Sequence, residues 1–254
     1  MKLIVLGSGT SVPHPARAAP AHWVETAAGA ALLDCGADAA HRMAAQHLAW
    51  ERLAAIWISH FHLDHVGGLL PFLFGTKYAP QTQIRRHPLI IYGPQGLKRL
   101  IERLDAANDY GLLDQPFPLE IKEVLPGERF ELLPDLTAQP FKTPHTSESL
   151  GLKLWDRQGR SLVYTADTGY DERLSEEARD ASLLLIECSF RRNKPVTTHL
   201  EFSEAIEIAR GANVRWAVLV HLYPEMDEFD AQTEAKVLWT GKTLAAYDGL
   251  TIEL

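Results

Sequence analysis

Four side chains that commonly bind metal ions, His60, His62, Asp64 and His65, occur within six residues. They directly follow the apolar run at residues 54–58, which is typical of a buried strand. Imidazole nitrogens and carboxylate oxygens are the ligands of zinc and related divalent ions. Because His60 and His62 alternate, they share one face of an extended segment, whereas Asp64 and His65 follow where the chain turns. The spacing therefore predicts ligands for two metal ions, and an incidental polar strand end is the alternative.

Three more ligand-type residues lie downstream, each after an apolar run. His145 follows a predicted strand, Asp167 ends the run at residues 162–166, and His221 ends the run at residues 216–220. Each residue alone would also suit a capping position or a hydrogen-bonded place in the core. A two-metal site needs more ligands than the early cluster supplies, so we expect all three to converge on it.

The H-x-H-x-D-H pattern of residues 60–65 resembles the metal motif of the metallo-β-lactamase superfamily. Stretches that resemble its ribonuclease Z-like branch are Leu6–Pro13, Leu32–Gly36, Ile90–Gly96 and Ile186–Phe190. The resemblance extends over nearly the whole chain and implies the four-layer αβ/βα sandwich of that superfamily. We therefore expect an α/β protein with residues 1–254 forming a single hydrolase domain.

The resemblance also implies how the ligands are shared between two ions. One ion would be held by His60, His62 and His145, the other by Asp64, His65 and His221, with Asp167 bridging them. Two divalent ions about 4 Å apart can share a hydroxide, whose parent water has its pKa lowered to about 7. Zinc is the expected metal, and manganese and iron are the alternatives for such a ligand set.

Three residues are predicted to act on protons. Asp64 would orient the attacking hydroxide or take its proton. His199 matches the histidine that ribonuclease Z-like enzymes place before a helix, and Glu187 matches its carboxylate partner. A carboxylate beside an imidazole raises the histidine pKa, as a general acid requires. A capping histidine with an unrelated glutamate is the alternative. The basic loop at residues 191–194 is expected either to meet a phosphodiester backbone or to be solvated.

The bulk composition fits an ordinary globular enzyme. The chain has 254 residues, 46% of them hydrophobic and 23% charged, and a net charge of −8, so no global basic field attracts nucleic acid. Cys35 and Cys188 lie in separate apolar contexts and are predicted to be unpaired and buried. We find neither a signal-peptide core nor an apolar run of about 20 residues that could span a membrane, so we expect a cytoplasmic protein.

Short strands and helices alternate along the chain. A hairpin about Ala28-Gly29 ends at Asp34, which we expect to hold a ligand histidine by its other ring nitrogen. Helices are predicted near residues 37–50, 95–108 and 227–239. The polar segment at residues 77–88, with its cluster Arg85-Arg86-His87, is predicted to be a solvated loop, and contact with a phosphate backbone is the alternative.

Two features depart from the transfer-RNA processing members of the family. Their substrate-gripping arm lies between the residues that match His145 and Asp167, and here only about twenty residues separate the two, enough for a plain hairpin. After Asp34-Cys35-Gly36, the usual Glu-Gly is replaced by Ala37-Asp38. A dinuclear phosphodiesterase for small or nucleotide-like anionic substrates is therefore predicted. The alternatives are a transfer-RNA 3′ endonuclease without an arm, a hydrolase of lactones, thioesters or sulfate esters, and a metal-stabilised binding module. The family often forms homodimers.

Overall fold

The computed structural model describes residues 1–254, in which two seven-stranded sheets face each other. The first sheet has the strand order β14-β1-β2-β3-β4-β5-β6. Its strands are β1 (Lys2–Gly7), β2 (Ala21–Thr26), β3 (Gly29–Leu33), β4 (Ala55–Trp57), β5 (Leu89–Gly93), β6 (Leu119–Glu123) and β14 (Thr251–Glu253). The predicted hairpin is the antiparallel pair β2–β3, in which Thr26 faces Gly29.

The second sheet has the order β13-β12-β11-β10-β9-β8-β7. Its strands are β7 (Phe130–Leu133), β8 (Leu136–Lys142), β9 (Leu150–Asp156), β10 (Ser161–Tyr164), β11 (Leu183–Glu187), β12 (Trp216–Val220) and β13 (Lys242–Ala245). Strands β9 and β10 form the plain antiparallel hairpin that was predicted between His145 and Asp167.

Helices cover the outer faces of both sheets. They are α1 (Ala39–Ala45), α2 (Leu63–Val66), α3 (Leu69–Tyr78), α4 (Pro80–Gln83), α5 (Leu97–Ala106), α6 (Arg173–Glu177), α7 (Phe202–Gly211) and α8 (Ala231–Leu238). The predicted helices near residues 37–50, 95–108 and 227–239 exist but are shorter, because 3₁₀ turns or loops occupy their ends. None of the helices combines the length and the apolar character that a membrane span requires.

Side-chain alternation along the strands produces three apolar cores. In β1, Leu3 and Val5 belong to the core between the sheets, whereas Ile4 and Leu6 pack outward beneath the helices of the first sheet. Successive strand residues point to opposite faces, so strands that are apolar on both faces must be covered on both faces. A third core lies between the second sheet and helices α6–α8. The result is the predicted four-layer αβ/βα sandwich.

Parallel strands bring the polar residues of the two sheets to one edge. Strands β3 to β6 are parallel to one another, and so are β10 to β13. Asp34, His60, Asp167 and His221 follow the carboxyl ends of β3, β4, β10 and β12, and Glu187 ends β11. Ligands of open α/β sheets bind outside the carboxyl ends of the strands. The topology therefore selects this edge as the candidate site.

The prediction of a solvated loop at residues 77–88 is wrong in two respects. Helix α3 continues to Tyr78, and α4 occupies part of the segment. Arg85 is only 5% exposed, and its guanidinium donates hydrogen bonds to the backbone carbonyls of Glu51, Leu53, His87 and Pro88. This arginine ties the end of the segment to the first sheet, and its donors are not available to a phosphate.

Candidate metal centre and its surroundings

The early histidine cluster lies on a turn that is clamped by close backbone contacts. The backbone N–H groups of Cys35 and Gly68 bond to the carbonyls of His65 and Cys35. A Cβ on Gly68 would lie 2.0 Å from the carbonyl oxygen of Gly36, and a Cβ on Gly36 would lie 2.6 Å from that of Asp64. Only glycine permits this approach, so the two glycines hold the ligand turn against the end of β3.

The three downstream residues reach the early cluster, as predicted. The Nε2 atom of His145 lies 3.0 Å from Nδ1 of His62. Asp167 places Oδ1 3.1 Å from Nε2 of His65 and Oδ2 3.3 Å from Nε2 of His221. Residues separated by up to 161 positions in the sequence therefore meet within one small volume.

Seven of the side chains form two groups that fit two ions, and a third group joins His199 to Asp167 and His221. In each group the candidate ligand atoms lie within 4.8 Å of one another. The first group is His60, His62, His145 and Asp167. The second group is Asp64, His65 and His221. Buried atoms without any hydrogen-bond partner include Nε2 of His60, His65 and His221 and Oδ1 of Asp167. Buried polar atoms normally have partners, and here all four point into the same space, as ligands of metal ions would.

Charge at the cluster favours a bound cation. Burial alone would raise the pKa of Asp167, but the neighbouring rings of His221 and His65 hold that pKa well below its usual value. Burial would lower the pKa of His65, yet Asp167 and Asp34 raise it well above the ordinary value. For His60, burial lowers the pKa to about 2, which keeps the ring neutral and able to coordinate. Asp167 is thus a buried carboxylate that neighbouring positive charge stabilises.

Strand ends at the site adopt a backbone conformation that is unusual for residues other than glycine. Asp34, Ala166 and His221 have φ values of +58°, +52° and +55° and follow β3, β10 and β12. The left-handed region costs such residues about 1–3 kcal/mol and is frequent at functional sites. At each position the chain turns sharply out of the strand and delivers Asp34, Asp167 or His221 to the cluster.

Asp34 holds two of the histidines from behind. Its Oδ2 accepts hydrogen bonds from Nδ1 of His65 at 2.7 Å, from the hydroxyl of Ser59 at 2.8 Å and from the hydroxyl of Tyr164 at 2.6 Å. The Ser59 hydroxyl is in turn 3.0 Å from Nδ1 of His60. The contact between Asp34 and a ligand-type histidine was predicted from the sequence. The roles of Ser59 and Tyr164 were not.

Glu187 occupies the corresponding place in the second sheet. Its Oε1 is 3.0 Å from Nδ1 of His199, and its Oε2 is 2.7 Å from the hydroxyl of Ser189. That hydroxyl is 2.9 Å from Nδ1 of His221. The predicted pairing of Glu187 with His199 is therefore present in the structure, and Ser189 adds an unpredicted link to the cluster.

His199 lies at the open side of the cluster. Its ring stacks at 5.2 Å on that of His221, and a ring nitrogen of His199 lies within 4.8 Å of the candidate ligand atoms of Asp167 and His221. Burial lowers its pKa, but the hydrogen bond and charge of Glu187, with the charges of Asp167 and Asp64, raise the pKa overall. A protonated imidazole with one edge toward the cluster is suited to proton donation.

The basic loop at residues 191–194 is only partly free. Lys194 donates to the backbone carbonyl of His199 at 3.0 Å and to Glu204 at 2.7 Å, so it braces the loop that carries His199. The guanidinium of Arg191 lies 4.9 Å from the ring centroid of Phe229. Contact of this loop with a phosphodiester backbone stays a prediction, and Lys194 is already engaged with Glu204. Arg192, which is exposed and forms no ion pair, is the free cation of this loop.

An aromatic pair lines the same opening. The rings of Phe190 and Tyr223 stack with centroids 5.0 Å apart, and both side chains are half-buried. Phe190 lies 6.4 Å from the ring of His199, and Tyr223 lies 6.3 Å from that of His221. These residues offer a flat apolar surface directly beside the candidate proton donor. The sequence analysis did not predict this aromatic surface, although Phe190 follows Ser189 in a stretch that carries the family resemblance.

Some missed residues carry a signal in the sequence. Ser59 is adjacent to His60, and Ser189 lies two positions after Glu187, so both are next to predicted site residues. Tyr164 lies in an apolar strand and resembles an ordinary core residue. The two serines could have been noted as neighbours of the motifs, whereas the Tyr164 contact depends on how the sheets face each other.

The fold and this cluster are those of a metallo-β-lactamase-fold protein. The crystal structure of the metallo-β-lactamase fold protein YhfI from Bacillus subtilis superposes with a TM-score of 0.87 over 100% of this chain and 99% of that one, at 24% identity. Human tRNase Z, short form, superposes with a TM-score of 0.81 over 100% and 99% of the two chains, at 21% identity.

The chain belongs to the family described as Anti-Pycsar protein Apyc1, whose model matches residues 1–243. It is also similar to a ribonuclease Z of Ignicoccus hospitalis, with 29% identity over 87% of each sequence. YhfI of Bacillus subtilis, a probable metallo-hydrolase, is 28% identical over the full length of both. The resemblance inferred from the motifs is thereby confirmed.

Proposed function

We propose that residues 1–254 form a dinuclear metal-dependent hydrolase that cleaves phosphodiester bonds in small or nucleotide-like substrates. One observation carries the proposal: seven ligand-type side chains converge with unpartnered, buried ring nitrogens, and the Glu187–His199 pair lies at the edge of the same cluster. The relatives support the hydrolase class, since they include a ribonuclease Z and a probable metallo-hydrolase.

The two ligand groups assign the metal positions. His60, His62 and His145 would hold one ion, Asp64, His65 and His221 the other, and Asp167, which approaches both groups, would bridge them. Zinc suits this set of imidazole and carboxylate donors, and manganese and iron are the alternatives. Bound divalent ions would supply the positive charge that activates a water and stabilises the charge that develops at phosphorus.

Residues of the chain would handle the protons and the substrate. Burial alone would raise the pKa of Asp64, but the neighbouring rings of His221 and His65 lower it to about 2. As a carboxylate, it can orient the attacking water and accept its proton. His199 would donate a proton from Nε2 to the leaving oxygen, while Glu187 holds its Nδ1–H. The Phe190–Tyr223 surface would receive the leaving group.

A flat aromatic surface beside the proton donor favours a leaving group that carries a planar ring, such as a nucleobase. An anionic phosphodiester also suits a centre with net positive charge even though the whole protein is acidic. The protein has no arm that could bind a large folded RNA.

Transfer-RNA 3′ processing is the second candidate function. The similarity to a ribonuclease Z and to human tRNase Z, short form, favours it. The plain β9–β10 hairpin between His145 and Asp167, with only Arg192 free in the basic loop, disfavours it. Homodimer formation and a cytoplasmic location stay predictions, and light scattering of the purified protein would test the first.

Metal analysis combined with a substrate panel tests the proposal. We expect two equivalents of divalent metal and turnover of bis-p-nitrophenyl phosphate, with little activity on an aryl sulfate, a lactone, a thioester or a transfer-RNA precursor. His145→Ala should lose metal and activity together. His41→Ala, which removes an exposed histidine of α1, should retain both. A metal-loaded protein that cleaves only the carbon or sulfate esters would overturn the phosphodiesterase assignment.

A further inference from the structure

Ser189 is a fully buried residue that the proposed chemistry does not use. It lies two positions beyond β11, is 0% exposed, and its hydroxyl contacts both Glu187 and His221. The distances are 2.7 Å to Oε2 of Glu187 and 2.9 Å to Nδ1 of His221. A hydroxyl between a carboxylate and a ring nitrogen constrains where the hydrogens can be.

Only one placement of the hydrogens satisfies both contacts of the Ser189 hydroxyl. A serine hydroxyl carries one hydrogen, and a carboxylate can only accept, so the Ser189 hydrogen must go to Glu187. The oxygen of Ser189 then accepts from His221, whose Nδ1 must carry the hydrogen. A neutral imidazole protonated at Nδ1 has its lone pair at Nε2. That atom is buried, has no hydrogen-bond partner and points into the cluster with Asp167 and Asp64.

Glu187 is fully engaged as an acceptor. Its Oε1 accepts from the backbone N–H of Thr168 at 2.6 Å and from His199 at 3.0 Å. Its Oε2 accepts from Ser189 and from the backbone N–H of Leu200 at 3.1 Å. Four donors saturate the carboxylate, so the side chain is held rigidly. Through Ser189, the same negative charge acts on His221 as well as on His199.

The ring of His221 needs such a contact. The backbone of His221 is set by its left-handed conformation, but rotation about the bond from Cβ to the ring is broad. A flipped ring would place carbon where Nδ1 now lies and would lose the contact with Ser189. The partner of a metal-binding histidine fixes the tautomer and ring orientation and raises the basicity of the ligand nitrogen.

We propose that Ser189 is a positioning residue that holds His221 with Nδ1 protonated and Nε2 directed at a metal ion, and that it connects this ligand to the carboxylate of Glu187. The inference rests on the proposed function, because it takes His221 as a metal ligand. It goes beyond that function by making one glutamate serve both the metal centre and the proton donor His199.

Metal affinity tests the proposal independently of turnover. Zinc affinity is measured by competition with a chromophoric chelator for the wild type, Ser189→Ala and Ser189→Thr. We expect Ser189→Ala to weaken binding of one of the two ions by about 10–100-fold, as is typical when the partner of a ligand histidine is lost. Ser189→Thr keeps the hydroxyl and should restore the affinity to within a few-fold of wild type.

Ser182→Ala is the matched control. Ser182 directly precedes β11, and its hydroxyl accepts a hydrogen bond from the backbone N–H of Ser161 at the opposite end of the sheet. This variant removes a serine hydroxyl near the same strand but far from the cluster, so it should bind both ions with wild-type affinity. Unchanged affinity in Ser189→Ala, or no recovery in Ser189→Thr, would overturn the proposal and leave the proposed function standing.

A second measurement does not depend on the folding of a variant. In zinc-loaded wild-type protein labelled with ¹⁵N-histidine, long-range proton–nitrogen spectra should show His221 protonated at Nδ1, with a slowly exchanging ring N–H. A His221 ring protonated at Nε2 instead would overturn the role of Ser189 although metal is bound. A wild-type protein that takes up no divalent ion would instead show that the proposed function has failed, and the inference with it.

Discussion

Asp34 and Glu187 lie in different sheets, yet each accepts a hydrogen bond from one histidine ring and one from a serine hydroxyl that contacts a second histidine. For Asp34 these are His65 directly and His60 through Ser59. The two regions therefore use the same arrangement, in which a buried carboxylate orients two imidazoles. Hydrogen counting is identical in both, and each serine leaves Nε2 of its histidine free.

The difference lies in what the oriented histidines do. Both histidines behind Asp34 are proposed metal ligands, so this half of the site is devoted to binding ions. Behind Glu187, His221 is a proposed ligand and His199 the proposed proton donor. The half behind Asp34 thus orients two proposed metal ligands, whereas the half behind Glu187 orients one proposed ligand and the proposed proton donor.

Loss of Asp34 should have the largest effect. Asp34→Ala leaves the buried donors of Ser59, His65 and Tyr164 without an acceptor, so the metal-free protein should lose about 3–5 kcal/mol in its free energy of unfolding. Both ions should bind more weakly. Urea denaturation and metal analysis measure these effects. Asp38→Ala, an exposed position on the same turn, should change stability by less than about 0.5 kcal/mol. Equal behaviour of the two variants would contradict the role of Asp34.

Loss of His199 should separate chemistry from metal binding. His199→Ala is expected to lower kcat for a phosphodiester by about 10²–10⁴-fold, the usual contribution of a general acid, while two ions remain bound. Steady-state kinetics and metal analysis on the same preparation test this. A wild-type rate would remove His199 from the mechanism, and loss of metal would mean that it acts as a ligand.

The pH dependence of the rate should show whether the negative charge of Glu187 raises the pKa of His199. The pKa of His199 is raised, so the ring is protonated below that pKa and loses its proton, and the enzyme its acid, as the pH rises through it. The rate should therefore fall on the alkaline side. Glu187→Gln removes the charge that raises the pKa, so the fall should begin at lower pH. If the rate fell at the same pH in both proteins, the charge of Glu187 would not be what raises the pKa of His199.

The smallest effect is expected for Tyr164, which approaches Asp34 from the second sheet. Tyr164→Phe removes one hydroxyl donor to a carboxylate and should lower the free energy of unfolding by about 1.5–3 kcal/mol, with both ions still bound. Tyr247→Phe, at a position 61% exposed, serves as the control and should have no effect. A loss of metal in Tyr164→Phe would show that Asp34 needs this donor in order to hold His65.

The strand-end residues show why much of the site was predictable. Asp34, Asp167 and His221 each end an apolar run, and the carboxyl ends of parallel strands meet at one edge. Strand identity is a local property of the sequence, so the placement of these residues follows from it. Helix ends were less predictable: the segment at residues 77–88 contains helix α4 and a buried Arg85, whose guanidinium donates hydrogen bonds to the carbonyls of Glu51 and Leu53 before β4. No local pattern in the segment shows that these carbonyls lie within reach.

The amino-acid sequence, through its motifs and the family resemblance that they carry, predicted which side chains converge, the sandwich fold and the pairing of Glu187 with His199. The tertiary structure decided which hydroxyls stand behind which rings. Ser59 and Ser189 lie beside predicted site residues, but the packing of the strand ends within each sheet decides which ring each hydroxyl contacts. The Tyr164 contact exists because the two sheets face each other. Hydrogen bonds require atoms within about 3 Å in a defined direction, and no local pattern encodes that geometry between distant segments.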